Sequence, residues 1–155
     1  MKAEDLRLEI AIELEAISKV VAELSALQSD LEAEQREPTV REKTAAAAFL
    51  AEFYSGIENI LKRICVYNNR SLPTGDTWHI ELFQFFCSPP QPPLPALFDD
   101  ELAAELKSFR KFRHVFFHGY GFYMDWDRMQ HGVATVEHLL GMLKAKLDEY
   151  LTGLS

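Results

Sequence analysis

The stretch Arg113-His114-Val115-Phe116-Phe117-His118-Gly119-Tyr120 sets a permanent cation beside imidazoles and a phenol. Arginine keeps its charge at any accessible pH, and histidine exchanges a proton near neutrality. Together these groups can hold a phosphate and move a proton beside it. Cleaving RNA without a metal asks for that set. The 2′-hydroxyl must lose a proton, the leaving oxygen must gain one, and the charge on the phosphorane must be stabilised. Histidine can do either proton job and Arg113 the third. Acid and base must differ in protonation state, so two titrating groups are required.

Spacing sets how these groups can meet. Arg113 and His118 are five residues apart, which on an ideal helix is about 140° around the axis. A helix that frays or ends at Gly119 can bring them together. Arg113 and Tyr120 would share a face if the helix continued. Arg110, His114 and His118 fall at i, i+4 and i+8 and form a second, polar stripe, with Phe112, Phe116 and Phe117 packing elsewhere. One chain offers His118 and His114 for the two roles. A two-fold dimer around this helix would supply Arg113 and His118 twice in one cleft, and mechanistic economy favours it.

The elements that must position this corner are helical. From Glu4 to about Gln35, Ile10, Leu14, Ile17, Val21, Leu24 and Leu31 recur at three- and four-residue steps with no Pro or Gly between them. That predicts one amphipathic helix of roughly 45 to 50 Å. Pro38 breaks it, and Thr39-Val40-Arg41-Glu42 reads as a capping box for a second helix running to about Tyr67. Asn68 to Gly75 reads as a turn, and Trp78 to Phe86 is a candidate short helix. Pro89-Pro90-Gln91-Pro92-Pro93-Leu94-Pro95 cannot be helical and is read as a stiff, extended crossover, rather than as a proline-rich ligand for a groove-binding domain. Asp99-Asp100-Glu101 opens the third long helix, ending near Gly119, and the fourth runs from about Asp127 to Leu151. The expected fold is all-α, an antiparallel four-helix bundle with the Pro-rich crossover between long helices two and three, in a single domain over residues 1–155.

The bulk composition narrows the function. In 155 residues, 48% are hydrophobic and the net charge is −8, which argues against broad, non-specific tracking of a long duplex. The charge is uneven, however. Lys107 to His118 holds Lys107, Arg110, Lys111 and Arg113 with no acid, which permits a local anion site. There is no apolar run long enough to span a membrane and no secretory leader at Met1-Lys2-Ala3-Glu4-Asp5. Cys65 and Cys87 fit no metal or redox spacing and read as reduced thiols of a cytoplasmic protein.

The Arg-x4-His-x-Tyr pattern, Arg113 to His118 and Tyr120, resembles the signature of HepT-type HEPN ribonuclease toxins, and Phe53-Tyr54-Ser55-Gly56-Ile57-Glu58-Asn59-Ile60-Leu61 resembles their second helix. That resemblance implies a helical bundle dimerising around the motif and cleaving RNA without metal or cofactor. Arg113 and His118 would be catalytic. The implied partners are a single-stranded or tRNA-like RNA and an MNT-type nucleotidyltransferase antitoxin, which would silence the toxin by transferring AMP to Tyr120. AMP there would set phosphate and bulk beside Arg113. The chain departs from many members, which have Asn or Asp after the motif arginine, in having His114.

His114, Arg110 and Glu58 are candidate supporting residues, Glu58 and Tyr54 because they can hydrogen-bond or orient Arg113 from helix two. The other readings are an ordinary interhelical contact for Glu58 and Tyr54, a core-capping ring for Tyr120, base stacking or packing for Tyr123 and Trp126, and a metal site on His114 and His118 completed by His131 or Asp125. The last lacks the Glu of the H-E-x-x-H pattern. His79 and His138 carry no assignment. The alternative function is a non-catalytic module that docks a nucleotidyltransferase or a nucleotide through Arg110, Lys111 and Arg113.

Overall fold

The computed structural model describes residues 1–119 and 125–155. It contains five helices: α1 (Ala3–Glu34), α2 (Val40–Tyr67), α3 (Trp78–Gln84), α4 (Asp100–His118) and α5 (Trp126–Thr152). The long ones match the four expected from periodicity, and α3 is the short helix between them.

Helix boundaries follow local chemistry. At the start of α2 the Thr39 hydroxyl accepts from the Glu42 amide, and the Glu42 carboxylate accepts from the Thr39 amide, so two otherwise orphaned donors are satisfied. Arg36 also donates to both oxygens of Glu42, and with the Thr39 amide it pulls that carboxyl down to about 2. The Asp99 carboxylate accepts from the Leu102 amide and starts α4. Helix α4 stops at Gly119 for a steric reason. A Cβ there would lie 2.7 Å from the Val115 carbonyl oxygen, so glycine lets the chain leave the helix along this path.

Helix α1 runs antiparallel to both α2 and α5. Arg63, late in α2, pairs with Glu9 and Glu13, early in α1. Arg7 donates to the carbonyls of Leu151 in the last turn of α5 and Leu154 just past its end, while Ser25 further along α1 reaches Glu137. The core between them is fully excluded from solvent at Leu6, Ile10, Leu24, Phe53, Ile57, Ile60, Leu61 and Ile64. Helix α4 packs on α2, where Phe53 and Phe109 meet at 5.1 Å between ring centroids. Only Leu102, Leu106 and Phe109 of α4 are buried, and its last two turns expose Val115 and Phe117.

The Pro-rich segment departs from the expected extended strut. It folds back, so that Cys87 and Phe98 pair across its two ends in an isolated bridge and Leu94 donates to the Gln91 carbonyl. The reason is the apolar residues among and around the prolines. Phe86, Leu94, Leu97 and Phe98 are all buried, and sinking them into the core draws the loop closed.

Gly56 marks a close approach of α1 to α2, since a Cβ there would sit 2.5 Å from Ile17 Cγ1. Gly56→Ala should therefore cost about 1–3 kcal/mol through overpacking, less roughly 1 kcal/mol of regained helix propensity. Gly141, in α5 with open space where a Cβ would go, is the control. Gly141→Ala should gain about 0.5–1 kcal/mol. Urea unfolding of both variants checks the pair, and equal effects would refute the close approach.

Candidate functional site

Glu58 organises the corner. It lies on α2 one turn after Tyr54, on the apolar face with Ile57 and Leu61, and is only 2% exposed. A carboxylate so buried needs cationic or donor partners, because the loss of water is otherwise uncompensated. It has two, from two other elements. His79, the second residue of α3, donates Nδ1–H to Glu58 Oε2 at 2.6 Å. Arg113 of α4 brings Nε to 3.7 Å from Glu58 Oε1, an ion pair without a hydrogen bond. That Nε–H is given instead to Ser55 Oγ, one turn before Glu58 on α2, at 2.6 Å.

These contacts fix the inner edge of the Arg113 guanidinium. Its terminal nitrogens make no hydrogen bond to the described residues, so the fork that matches phosphate oxygens stays available. The guanidinium carbon also lies 5.0 Å over the Phe117 ring, so Phe117 does not pack elsewhere as the spacing suggested. Arg110, one turn earlier, rests 5.3 Å over the ring of Phe83 in α3. Between α3 and α4 opens a cavity of about 430 Å³, lined by Asp76, Thr77, His79, Arg110, Lys111, Arg113 and His114. Ile80 and Val115 give it an apolar side.

His118 stands apart from this cavity. Because α4 is unbroken through His118, the five-residue spacing keeps its separation of about 140° around the axis, and the fraying that could have joined Arg113 and His118 in one chain does not occur. The polar stripe is real, however: the rings of His114 and His118 are 4.5 Å apart, and both side chains are exposed. Tyr120 and Tyr123 lie outside the described residues. Trp126 is buried in the bundle, so it is packing and offers no platform for a base. His131 is engaged with Glu105 at 3.0 Å and Asp125 caps α5, so each has a structural use away from His114 and His118.

Tyr54 does not make the hydrogen bond to Glu58 that their spacing allowed. Its hydroxyl is buried and finds no partner among the described residues. Burial first, and the nearby Glu58 charge second, push its ionisation well above the ordinary phenol range. His79 and Ser55 are the residues that sequence reasoning did not place. Glu58 itself carried the signal, as an acid on the apolar face of a long helix that must have a partner.

A family model described as HepT-like protein matches residues 45–154, which takes in most of α2 and everything after it. No curated protein and no solved structure matches the chain.

Tyr54→Phe should raise stability by about 1 kcal/mol, because it removes a buried hydroxyl whose desolvation nothing offsets. Urea unfolding measures this, and a loss above about 1 kcal/mol would mean the hydroxyl has a partner.

Proposed function

The chain belongs to the HepT-like family, and we propose that it is a metal-independent endoribonuclease toxin of HEPN type. The observation that carries the reading is the Arg113 fork, held from behind by Ser55 and Glu58 and open in front to a cationic cavity. In this reading Arg113 stabilises the phosphorane, and His118 moves a proton as acid or base. Arg110 and His114 assist from the same helix, and Glu58 orients Arg113. The 2′-oxygen attacks phosphorus, the P–O5′ bond breaks, and the products end in a 2′,3′-cyclic phosphate and a 5′-hydroxyl.

Because Arg113 and His118 point to different sides of α4, a cleft using both is best built by two copies. The exposed apolar side chains Val115 and Phe117 next to His118 favour pairing there. The cognate silencing partner would be an MNT-type nucleotidyltransferase that places AMP on Tyr120. The cavity's cations without His118 also suit the second reading, a module that binds a nucleotide or the transferase and cuts nothing.

The deciding assay incubates the purified chain, its intact mass confirmed free of adenylyl groups, with tRNA and a single-stranded RNA in EDTA. Wild type should cleave. Arg113→Ala and His118→Ala should each lose about 10²–10³-fold. A silent wild type of unmodified mass would reject the ribonuclease and favour the binding module. An adenylylated mass would call for the same assay on Tyr120→Phe. Phe117→Asp should shift the chain toward monomer in sedimentation and lower cleavage with it. A monomeric wild type that cleaves would reject the shared cleft.

A further inference from the structure

We propose that His79 is a catalytic proton-transfer residue of this same site, held by Glu58 and sharing one phosphate-binding cavity with Arg113. The proposal rests on the ribonuclease reading and deepens it, since His118 does not line the Arg113 cavity whereas His79 does, with a carboxylate behind it. His79 lies far from that motif in sequence, on α3, and only the fold brings it to the cavity that Arg113 lines.

The geometry is that of an oriented base. The Glu58 carboxylate takes the His79 Nδ1–H at 2.6 Å, which fixes the tautomer and leaves Nε2 as the ring's accepting nitrogen. Glu58 is nearly fully buried, whereas the His79 ring is partly open, so the carboxylate is shielded and the imidazole reaches solvent and ligand. The Trp78 ring lies against the imidazole, tilted by 32°, at 3.5 Å between centroids and limits its swing. A carboxylate behind one imidazole nitrogen, with the other left for a substrate proton, is how hydrolytic enzymes hold a general base. Here the same carboxylate also pairs with the guanidinium that would hold the phosphate. Base and anion binder are thus indexed to one buried group.

Neutral His79 takes the 2′-hydroxyl proton at Nε2 as the O2′–P bond forms. The P–O5′ bond breaks, and the 5′-oxygen leaves with a proton from water or from the His118 imidazolium of a second copy, which solvent then reprotonates. The His79 imidazolium, facing Glu58, then sheds its proton to solvent. Glu58 is a positioning residue. The charges around His79 are Glu58 from α2, Asp76 just before α3, and Arg110, Lys111, Arg113 and His114 from α4, with Lys62 of α2 lying over Trp78.

The test uses the full-length chain of unmodified mass, a short RNA with a single scissile ribose, and its 2′-deoxy analogue for binding. His79→Gln keeps a hydrogen-bonding side chain but cannot titrate. Its single-turnover rate should fall about 10²–10⁴-fold, and affinity for the deoxy analogue should change less than about threefold. The acidic limb of the wild-type rate–pH profile should vanish with it. Glu58→Gln should keep that limb at a reduced rate. If His79→Gln cleaves within about threefold of wild type, or keeps the acidic limb, His79 is structural and the ribonuclease reading stands without it. If wild type itself does not cleave, the ribonuclease reading and the proton-transfer role fall together. Imidazole ¹⁵N spectra then test the shared cavity alone: inorganic phosphate should shift His79 Nε2 in wild type and not in Arg113→Ala, and an unmoved His79 overturns the shared site as well.

Discussion

A buried negative charge is the constraint from which the functional corner follows. Glu58 sits on the apolar face of α2 beside fully buried Ile57 and Leu61, where an unpaired carboxylate would cost several kcal/mol. Its two oxygens are answered by His79 from α3 and Arg113 from α4. The pairing therefore ties three helices that are distant in sequence. It holds two side chains able to act on a phosphate, and it faces both toward one cavity. A hydrophobic residue at position 58 could pack as well or better. What it could not do is set the tautomer of one group and the orientation of the other.

The second constraint is the continuity of α4. An unbroken helix through His118 separates the two halves of the Arg-x4-His element around the axis, and Gly119 ends the helix only after the separation is complete. The same helix leaves its last turns poorly covered, with Phe112 and Phe116 half-buried and Val115 and Phe117 exposed. The exposed apolar surface and the split motif lie on the same stretch of helix, so one event, pairing of two such stretches, would address both.

Much of this was legible from the chain alone, and the parts that were not share a cause. The four long helices and their starts at Thr39 and Asp99 follow from periodicity and capping, which are local in sequence. Arg113 and His118 stand out for the same reason, as neighbours in type and spacing. The Pro-rich loop was misjudged because proline content speaks to backbone stiffness, whereas Leu94, Leu97 and Phe98 decide where the loop goes by seeking the core. His79 was invisible because its partner is 21 residues away across a turn, a separation at which no helical spacing rule applies. Tyr54 failed in the opposite direction. Its spacing from Glu58 permitted a hydrogen bond, but the carboxylate is engaged with His79 and Arg113 and the Tyr54 hydroxyl finds no partner among the described residues.

The overall charge of −8 and the cationic cavity are compatible once distance is considered. Screening confines charge effects at physiological salt to about 8 Å, so the acids of α1 act weakly on a phosphate already beside Arg113. They act strongly on anything that must lie along the whole surface. A long duplex would bring many phosphates against that acidic exterior while only a few could reach Arg110, Lys111 and Arg113. A flexible single strand can thread one phosphate into the cavity and keep the rest away. On the proposed reading, the acidic exterior would disfavour long duplexes, and the cavity between α3 and α4, lined by Arg110, Lys111 and Arg113, would be where a phosphate is admitted.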